Sequence, residues 1–298
     1  MEQIARKLAA KITGAVRTKE PLCRHTSLKI GGPADLFVEP ATREELAFTL
    51  ACLRQAGVEW FLLGNGTNLL VHDAGFRGAV IRLAGDFCRY EFDGMTIHAG
   101  AAVSLAHLAR EAVRRGCAGL AFAAGIPGTV GGALVTNAGA HGASLGDVVA
   151  EAQIMDESGE LHTCLPESLG LAYRKSSIPP AHVVCAVTLQ LTAGDREELE
   201  RQCRDDYLFR RKHQPHQPNA GSIFKNPPGE VAGRLIEAAG LKGCRVGGAV
   251  ISAIHANFIV NDGQATAADV MALIEKARAE VAGKFGIELE LEICLLGY

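Results

Sequence analysis

Between Arg115 and Asp147 the chain carries no Asp, Glu, Lys or Arg and reads GCAGLAFAAGIPGTVGGALVTNAGAHGASLG. So long an uncharged run suggests a membrane helix at first sight. Gly125, Gly128, Gly131, Gly132, Gly139, Gly142 and Gly146, with Pro127 and Asn137, argue against it: they break any helix and leave backbone N–H groups bare. Bare main chain in uncharged surroundings suits a polar anionic ligand, because successive N–H groups neutralise oxyanions without a side-chain charge. A pyrophosphate is the common case; a glycine-rich buried turn without a ligand is the plain alternative.

The rest of the composition narrows the class. A chain of 298 residues has room for two domains, and its 48% hydrophobic content supports real cores. The net charge of −3 gives no reason to expect a nucleic-acid surface. Nine scattered cysteines with no C-x-x-C pair read as reduced thiols of a cytoplasmic protein. The N-terminal MEQIARKLAAKITG is an amphipathic helix with charges throughout, unlike a signal peptide, and no membrane insertion is expected. The histidines show no metal spacing, so no metal site is expected.

Periodicity gives the order of elements. Thr42 and Glu45 form a capping-box pattern ahead of a helix ended by Gly57. WFLL and AVIRL read as strands, then MTIHAG, then a helix capped by Ser104. VVAEAQIMD and AHVVCAVTLQL are strands on either side of an ESGE turn. A charged helix runs from Asp195 to Lys212, and a domain boundary is expected near it. The last hundred residues give a helix at VAGRLIEAAG, a strand at HANFIVN, a helix from Ala267 and a terminal strand, IELELEICLL.

Several motifs carry possible chemistry. GNGTN, at Gly64, Asn65, Gly66, Thr67 and Asn68, starts like a dinucleotide fingerprint, but Leu69 falls where the third glycine belongs and no amphipathic helix follows. No Walker A sequence occurs either. In GIPGTVGGA, Pro127 fixes one backbone angle, Thr129 offers a hydroxyl and the flanking glycines permit left-handed turns. Two separated glycine loops of this kind suit a long diphosphate cofactor such as FAD, which would itself carry the redox chemistry. YRKS, at Tyr173–Ser176, is either a surface turn or an arginine that faces a carboxylate. In GSIFKNP, Ser222 after Gly221 is either an ST-turn or a positioned proton donor. Glu292 shares a strand face with Glu288 and Glu290, either towards solvent or reaching into a cleft. The basic cluster Arg210, Arg211, Lys212 and His213 is either a solvated helix end or a phosphate site.

HTSLKIGGPAD, LLGNGTNLLVHDAGFRGAVI, GIPGTVGGALVTNAGAHG, YRKS, AGSIFKNP and HANFIVN occur in this order. From about His25 to the C-terminus the chain resembles the UDP-N-acetylenolpyruvoylglucosamine reductase family, flavoenzymes of bacterial peptidoglycan synthesis. The resemblance implies an α+β fold: a two-lobed FAD-binding domain of the vanillyl-alcohol-oxidase type over 26–195, with lobes of roughly 26–84 and 86–195, and a smaller α+β substrate domain over 204–298. It implies noncovalent FAD, NADPH as hydride donor and a nucleotide-sugar substrate. Flavin contacts are implied at Gly64, Asn65, Gly66, Thr67, Asn68, Gly125, Ile126, Pro127, Gly128, Thr129, Gly132, Asn137, Ala138 and Gly139. Arg174, Ser222 and Glu292 match the family's active-site arginine, proton donor and C-terminal glutamate. Tyr173, Lys212 and Asn226 match substrate-facing positions.

The chain departs from the family pattern at four positions. His141 stands for a usual tyrosine, Ser144 for an acid, Ala121 for a glutamate, and His213 for a lysine that Lys212 would replace. The short interval between YRKS and GSIFKNP resembles the family's compact form, which lacks an extra loop bearing a tyrosine. Two other readings of the same chain are an FAD-dependent alcohol oxidase or dehydrogenase on this fold, and a non-catalytic flavin- or nucleotide-binding relative.

Overall fold

The computed structural model describes residues 1–298 and divides into two compact units. The first comprises 1–18, 36–64 and 78–209; the second comprises 19–35, 65–77 and 210–298. The chain therefore passes between units within the GNGTN loop, after Gly64. Seven helices occur: α1 Glu2–Ala9, α2 Arg43–Gln55, α3 Leu105–Arg114, α4 Val130–Val135, α5 Arg196–His213, α6 Ala232–Ala238 and α7 Ala267–Phe285. None is long and apolar enough to cross a membrane. Helices and largely antiparallel sheets in separate stretches give the α+β class expected from the motifs.

In the first unit, a five-stranded antiparallel sheet runs in the order 161–164, 149–155, 183–190, 96–100 and 90–93. A parallel pair joins Trp60–Leu62 to Ala79–Ile81. Leu36, Val38, Leu46, Leu53, Ile97, Leu105, Leu108, Val187 and Leu189 are buried in one continuous core. The capping signals place the helices well: Thr42 accepts from Glu45 N at 3.3 Å, and Ser104 accepts from His107 N at 3.4 Å.

The Glu45 carboxylate reaches beyond its own helix. It accepts from Thr13 N and Thr13 Oγ1, both at 2.8 Å, and from Ala41 N at 2.7 Å. Burial alone would raise its pKa; these donors outweigh burial and hold it below the ordinary value.

In the second unit, strands 245–246, 249–251 and 259–261 form an antiparallel sheet, and Leu69–Val71 pairs in parallel with Cys294–Leu296. Val270, Leu273, Ile274, Ala277 and Val281 of α7 pack with Leu28, Ile30, Phe224, Leu235 and Ile293. Thr266 and Asp269 form a capping box at the start of α7, and Asp73 adds two bonds there, accepting from Ala267 N at 2.8 Å and Ala268 N at 3.1 Å. A carboxylate at that end is also favoured by the helix dipole.

Three sequence expectations change. The glycine run does contain a helix: α4 forms across GG because Thr129 caps it, accepting from Gly132 N at 3.3 Å. The terminal strand covers only 294–296, since 287–293 lack a continuous strand partner beyond one bridge between Leu291 and Phe224. HANFIVN is a strand only at 259–261; 255–258 is a closed turn in which Phe258 N donates to His255 O.

Replacing Glu45 with alanine removes the acceptor of three part-buried hydrogen bonds and is expected to cost about 1–2 kcal/mol of stability in urea unfolding. Because its folded pKa is depressed, the contribution of Glu45 is complete above the ordinary value of 4.5 and is lost as pH falls through the folded value. The gap in stability between parent and Glu45→Ala should therefore narrow in acid.

Candidate functional site

The two glycine loops of the sequence meet in the first unit. A Cβ built on Gly64 would lie 3.0 Å from Thr129 Oγ1 and 3.7 Å from its Cγ2. Thr129 is buried, and its hydroxyl is engaged at the start of α4. Gly131 is equally confined: its Cβ would lie 2.8 Å from that of Ala101, while Gly131 N donates to Ala101 O and Val130 N to Val103 O. Gly128, at φ +149°, takes a backbone angle that suits glycine and passes its carbonyl to Leu105 N. The stretch from Gly125 to Gly132 is thus a main-chain surface held from behind, with Pro127 and Gly132 exposed.

Downstream, Asn137 is buried with φ +42°. Its Oδ1 accepts from Gly146 N at 2.9 Å, and its Nδ2 donates to Ala172 O at 3.1 Å. That second bond ties the glycine run to the YRKS turn. Ala172 and Lys175 exchange both backbone bonds, so Tyr173 and Arg174 form the tip, and Arg174 adopts φ +54°. Ser176 Oγ donates to Val135 O at 2.8 Å. Arg174 is half-buried, with its guanidinium carbon 5.8 Å from the Tyr173 ring centre; Tyr173 is exposed. Gly139–Ala140 and Ala143–Ser144 pair across His141 and Gly142, both at positive φ. This is the geometry of a tight two-residue hairpin. His141 Nε2 lies 3.5 Å from Asp206. Ala138 is buried beside this hairpin.

In the second unit, the remainder of GNGTN lies against the HTS segment. Gly66, at φ +61°, is packed so that a Cβ would stand 2.1 Å from His25 O, and its carbonyl accepts from Ser27 N at 3.0 Å. Asn65 is exposed, and Thr67 is half-buried. Asn68 Nδ2 donates to Glu292 O at 3.0 Å, and Asn68 O accepts from Cys294 N at 2.9 Å. Glu292 N in turn donates to Ile223 O at 2.8 Å, and Phe224 bridges Leu291. Glu292 and Ile223, the chain neighbour of Ser222, therefore belong to one hydrogen-bonded ladder that begins at Asn68.

Gly221 turns sharply at φ +77°, and Asn219 Oδ1 accepts from its N–H at 2.9 Å. The turn is made by Asn219, so the Ser222 hydroxyl is not used for an ST-turn. Asn226 Oδ1 accepts from Ala232 N at 3.1 Å at the start of α6, which commits half of its amide to the fold. Lys212 is exposed at the end of α5. Of the acids and histidines, Asp156, Glu160 and His162 gather at one hairpin. There Asp156 already accepts from Ser158 N, Ser158 Oγ and Glu160 N, a turn cap that these bonds account for.

Asn219 and Asn257 are the supporting residues that motif reading did not single out. Both lie in quoted motifs or beside them, and both are asparagines in turns, the one signal the sequence offers.

Confined glycine main chain of this kind in the first unit suits the cofactor of a flavin-dependent oxidoreductase. A family model described as "FAD binding domain" matches residues 34–165. A second, described as "UDP-N-acetylenolpyruvoylglucosamine reductase, C-terminal domain", matches residues 214–296. The chain is 48% identical to UDP-N-acetylenolpyruvoylglucosamine reductase 2 of Symbiobacterium thermophilum, over 100% of this chain and 98% of that protein. It is 39% identical to the reductase of Bacillus subtilis, over 100% and 99%. The crystal structure of the reductase from Thermus caldophilus superposes with a TM-score of 0.82 at 41% identity, covering 96% of this chain and 99% of that one. The chain belongs to the UDP-N-acetylenolpyruvoylglucosamine reductase family.

Gly64→Ala would press on the Thr129 hydroxyl and fill the near side of the cradle. The expected result is a clear drop in FAD per polypeptide, read from visible absorbance, with a small change in the urea midpoint. Full flavin content in a folded Gly64→Ala protein would show that this face does not receive the cofactor.

Proposed function

We propose that the protein is an NADPH-dependent flavoenzyme that reduces UDP-N-acetylglucosamine enolpyruvate to UDP-N-acetylmuramate for peptidoglycan synthesis. The observation that carries this reading is the ladder from Asn68 through Glu292 to Ile223, which joins the flavin loop to the serine and glutamate required by the chemistry. The division of labour assigns 26–195 to the flavin and 204–298 to the nucleotide sugar.

FAD is held without a covalent bond by main-chain groups of Gly64, Asn65, Gly66, Thr67 and Asn68 and of Gly125, Ile126, Pro127, Gly128 and Thr129. Gly132, Asn137, Ala138 and Gly139 complete the contact. The chemistry that FAD supplies when bound is two-electron transfer, from NADPH and then to the terminal vinyl carbon of the enolpyruvyl group.

Every remaining task falls to side chains. As the vinyl group is reduced, negative charge develops on the adjacent carbon and spreads into the substrate carboxylate. Arg174 binds that carboxylate through both oxygens and stabilises the charge. Its left-handed backbone angle is the kind of strain that persists where a structure fixes a functional side chain. Glu292 holds the same carboxylate by donating a hydrogen bond from its protonated form, or through Arg174. Ser222 passes its hydroxyl proton to the charged carbon, which completes the lactyl ether. Serine is a weak acid, so the transfer depends on a strongly basic carbon and on exclusion of bulk water. Tyr173, Lys212 and Asn226 contact the nucleotide sugar, with Lys212 on phosphate.

All nine cysteines are free thiols, as suits a reducing compartment, and we place the reaction in the cytoplasm.

Ser222→Ala is expected to bleach with NADPH at the parental rate. Its colour should return about a hundredfold more slowly on adding the enolpyruvyl nucleotide. Equal slowing of both phases in stopped-flow absorbance would remove Ser222 from its role. Mild denaturation should release the chromophore into the filtrate, and retention after full unfolding would contradict noncovalent binding.

A further inference from the structure

Ser222 lies in an irregular segment: Gly221 precedes it at a sharp turn, and apolar Ile223 and Phe224 follow. The backbone on its C-terminal side is fixed by Asn257. This asparagine is 3% exposed. Its Oδ1 accepts from Phe224 N at 3.0 Å, and its Nδ2 donates to Phe224 O at 2.8 Å. Its own carbonyl accepts from Ile223 N at 2.8 Å. Three bonds from one residue therefore fix Ile223 and Phe224, and the Ile223 carbonyl is left to accept Glu292 N on the other side.

Asn257 is itself well held. Its N–H donates to His255 Nδ1 at 3.2 Å. Ser252 Oγ accepts from Ile254 N at 3.1 Å and from His255 N at 3.4 Å, and Phe258 N closes the turn onto His255 O. Burial, with Lys242 nearby, lowers the His255 pKa and keeps the ring neutral, the form in which Nδ1 can accept. A side-chain amide that pairs with both groups of one residue replaces a strand neighbour, and no apolar or charged side chain of similar size can do this.

We propose that Asn257 is the positioning residue of Ser222: by clamping Ile223 and Phe224 it fixes where the serine hydroxyl is held. The inference rests on Ser222 as the proton donor. A displacement of about 1 Å in such a group can cost on the order of a hundredfold in rate.

The test uses the FAD-loaded enzyme and four variants: Asn257→Ala, Asn257→Asp, Ser222→Ala and the double variant Ser222→Ala/Asn257→Asp. Asn257→Asp keeps size but loses the donor to Phe224 O, which guards against a variant that fails to fold. Bleaching by NADPH should stay within about twofold of the parent in both Asn257 variants. Return of colour with the enolpyruvyl nucleotide should slow by about tenfold or more. The double variant should be no slower than Ser222→Ala, because a residue that acts through Ser222 has nothing left to position. Amide exchange at Ile223 and Phe224 should quicken in the Asn257 variants, independently of turnover.

A parental return rate in Asn257→Asp would overturn the proposal. So would a double variant slowed by the product of the two single effects, which is the mark of a general structural role. If Ser222→Ala itself turns over at the parental rate, the proton-donor reading fails, and the positioning role falls with it.

Discussion

A side chain at position 64 would stand 3.0 Å from a hydroxyl already committed to the end of a helix. That close approach of main chain to Thr129 is the constraint on which the flavin-binding unit depends. It lets the strand Trp60–Leu62 and the start of α4 share one surface of backbone groups. Gly131 against Ala101 repeats the device from behind, with N–H groups of 130 and 131 paired to carbonyls of 103 and 101. Donors on the rear face are thereby satisfied inside the protein. The arrangement carries no formal charge, so in the proposed function it would receive a diphosphate without an ion pair that has to be desolvated.

The groups proposed for catalysis rest on the same economy of main-chain contact. Asn68, Glu292, Ile223 and Asn257 form successive links, each made through a backbone group at 2.8–3.0 Å. Such a ladder fixes where a side chain starts without occupying the side chain itself. Glu292 contributes its N–H and C=O to the ladder. Arg174 is set by a comparable route in the other unit, through Asn137 to the carbonyl of Ala172, two residues away.

Local signals in the sequence were enough for most helices and for the order of strands. Thr42, Ser104 and Thr266 each start a helix because a side-chain oxygen meets an N–H three residues on, a purely local geometry. The two glycine loops were legible for the same reason: positive φ and close approach leave glycine as the residue that fits. What could not be read is non-local. The carboxylate of Glu45 looked like the second half of a capping box, yet it binds Thr13, 32 residues away. The final strand looked ten residues long by alternation, but alternation reports burial on two faces and not continuous strand pairing; only 294–296 have that. Helix α4 inside the glycine run was hidden because propensity counts glycine against a helix, while Thr129 and the packing of Val130 and Leu134 override it. Asn257 was visible as a letter in HANFIVN, but its partner Phe224 lies 33 positions earlier.

The choice between asparagine and acid follows the same geography. Carboxylates collect stray N–H groups at several turns: Glu45 for Thr13 and Ala41, Asp73 for α7, Asp156 for its hairpin and Asp147 for Ser144. At the positions that frame the glycine run, the serine and the glutamate, the residues are Asn68, Asn137, Asn219 and Asn257. A carboxylate makes the stronger bond to an N–H, worth about 1.5–3 kcal/mol against about 1 for a neutral acceptor. That gain reverses beside a nucleotide diphosphate and a substrate carboxylate. Two like charges 4 Å apart repel by about 4 kcal/mol at the screening typical of a protein surface. Neutral amides avoid that repulsion, and they alone can donate and accept at once, as Asn137 and Asn257 each do. In the proposed function every ligand is an anion, and neutral asparagine at these four supports adds no charge to oppose it.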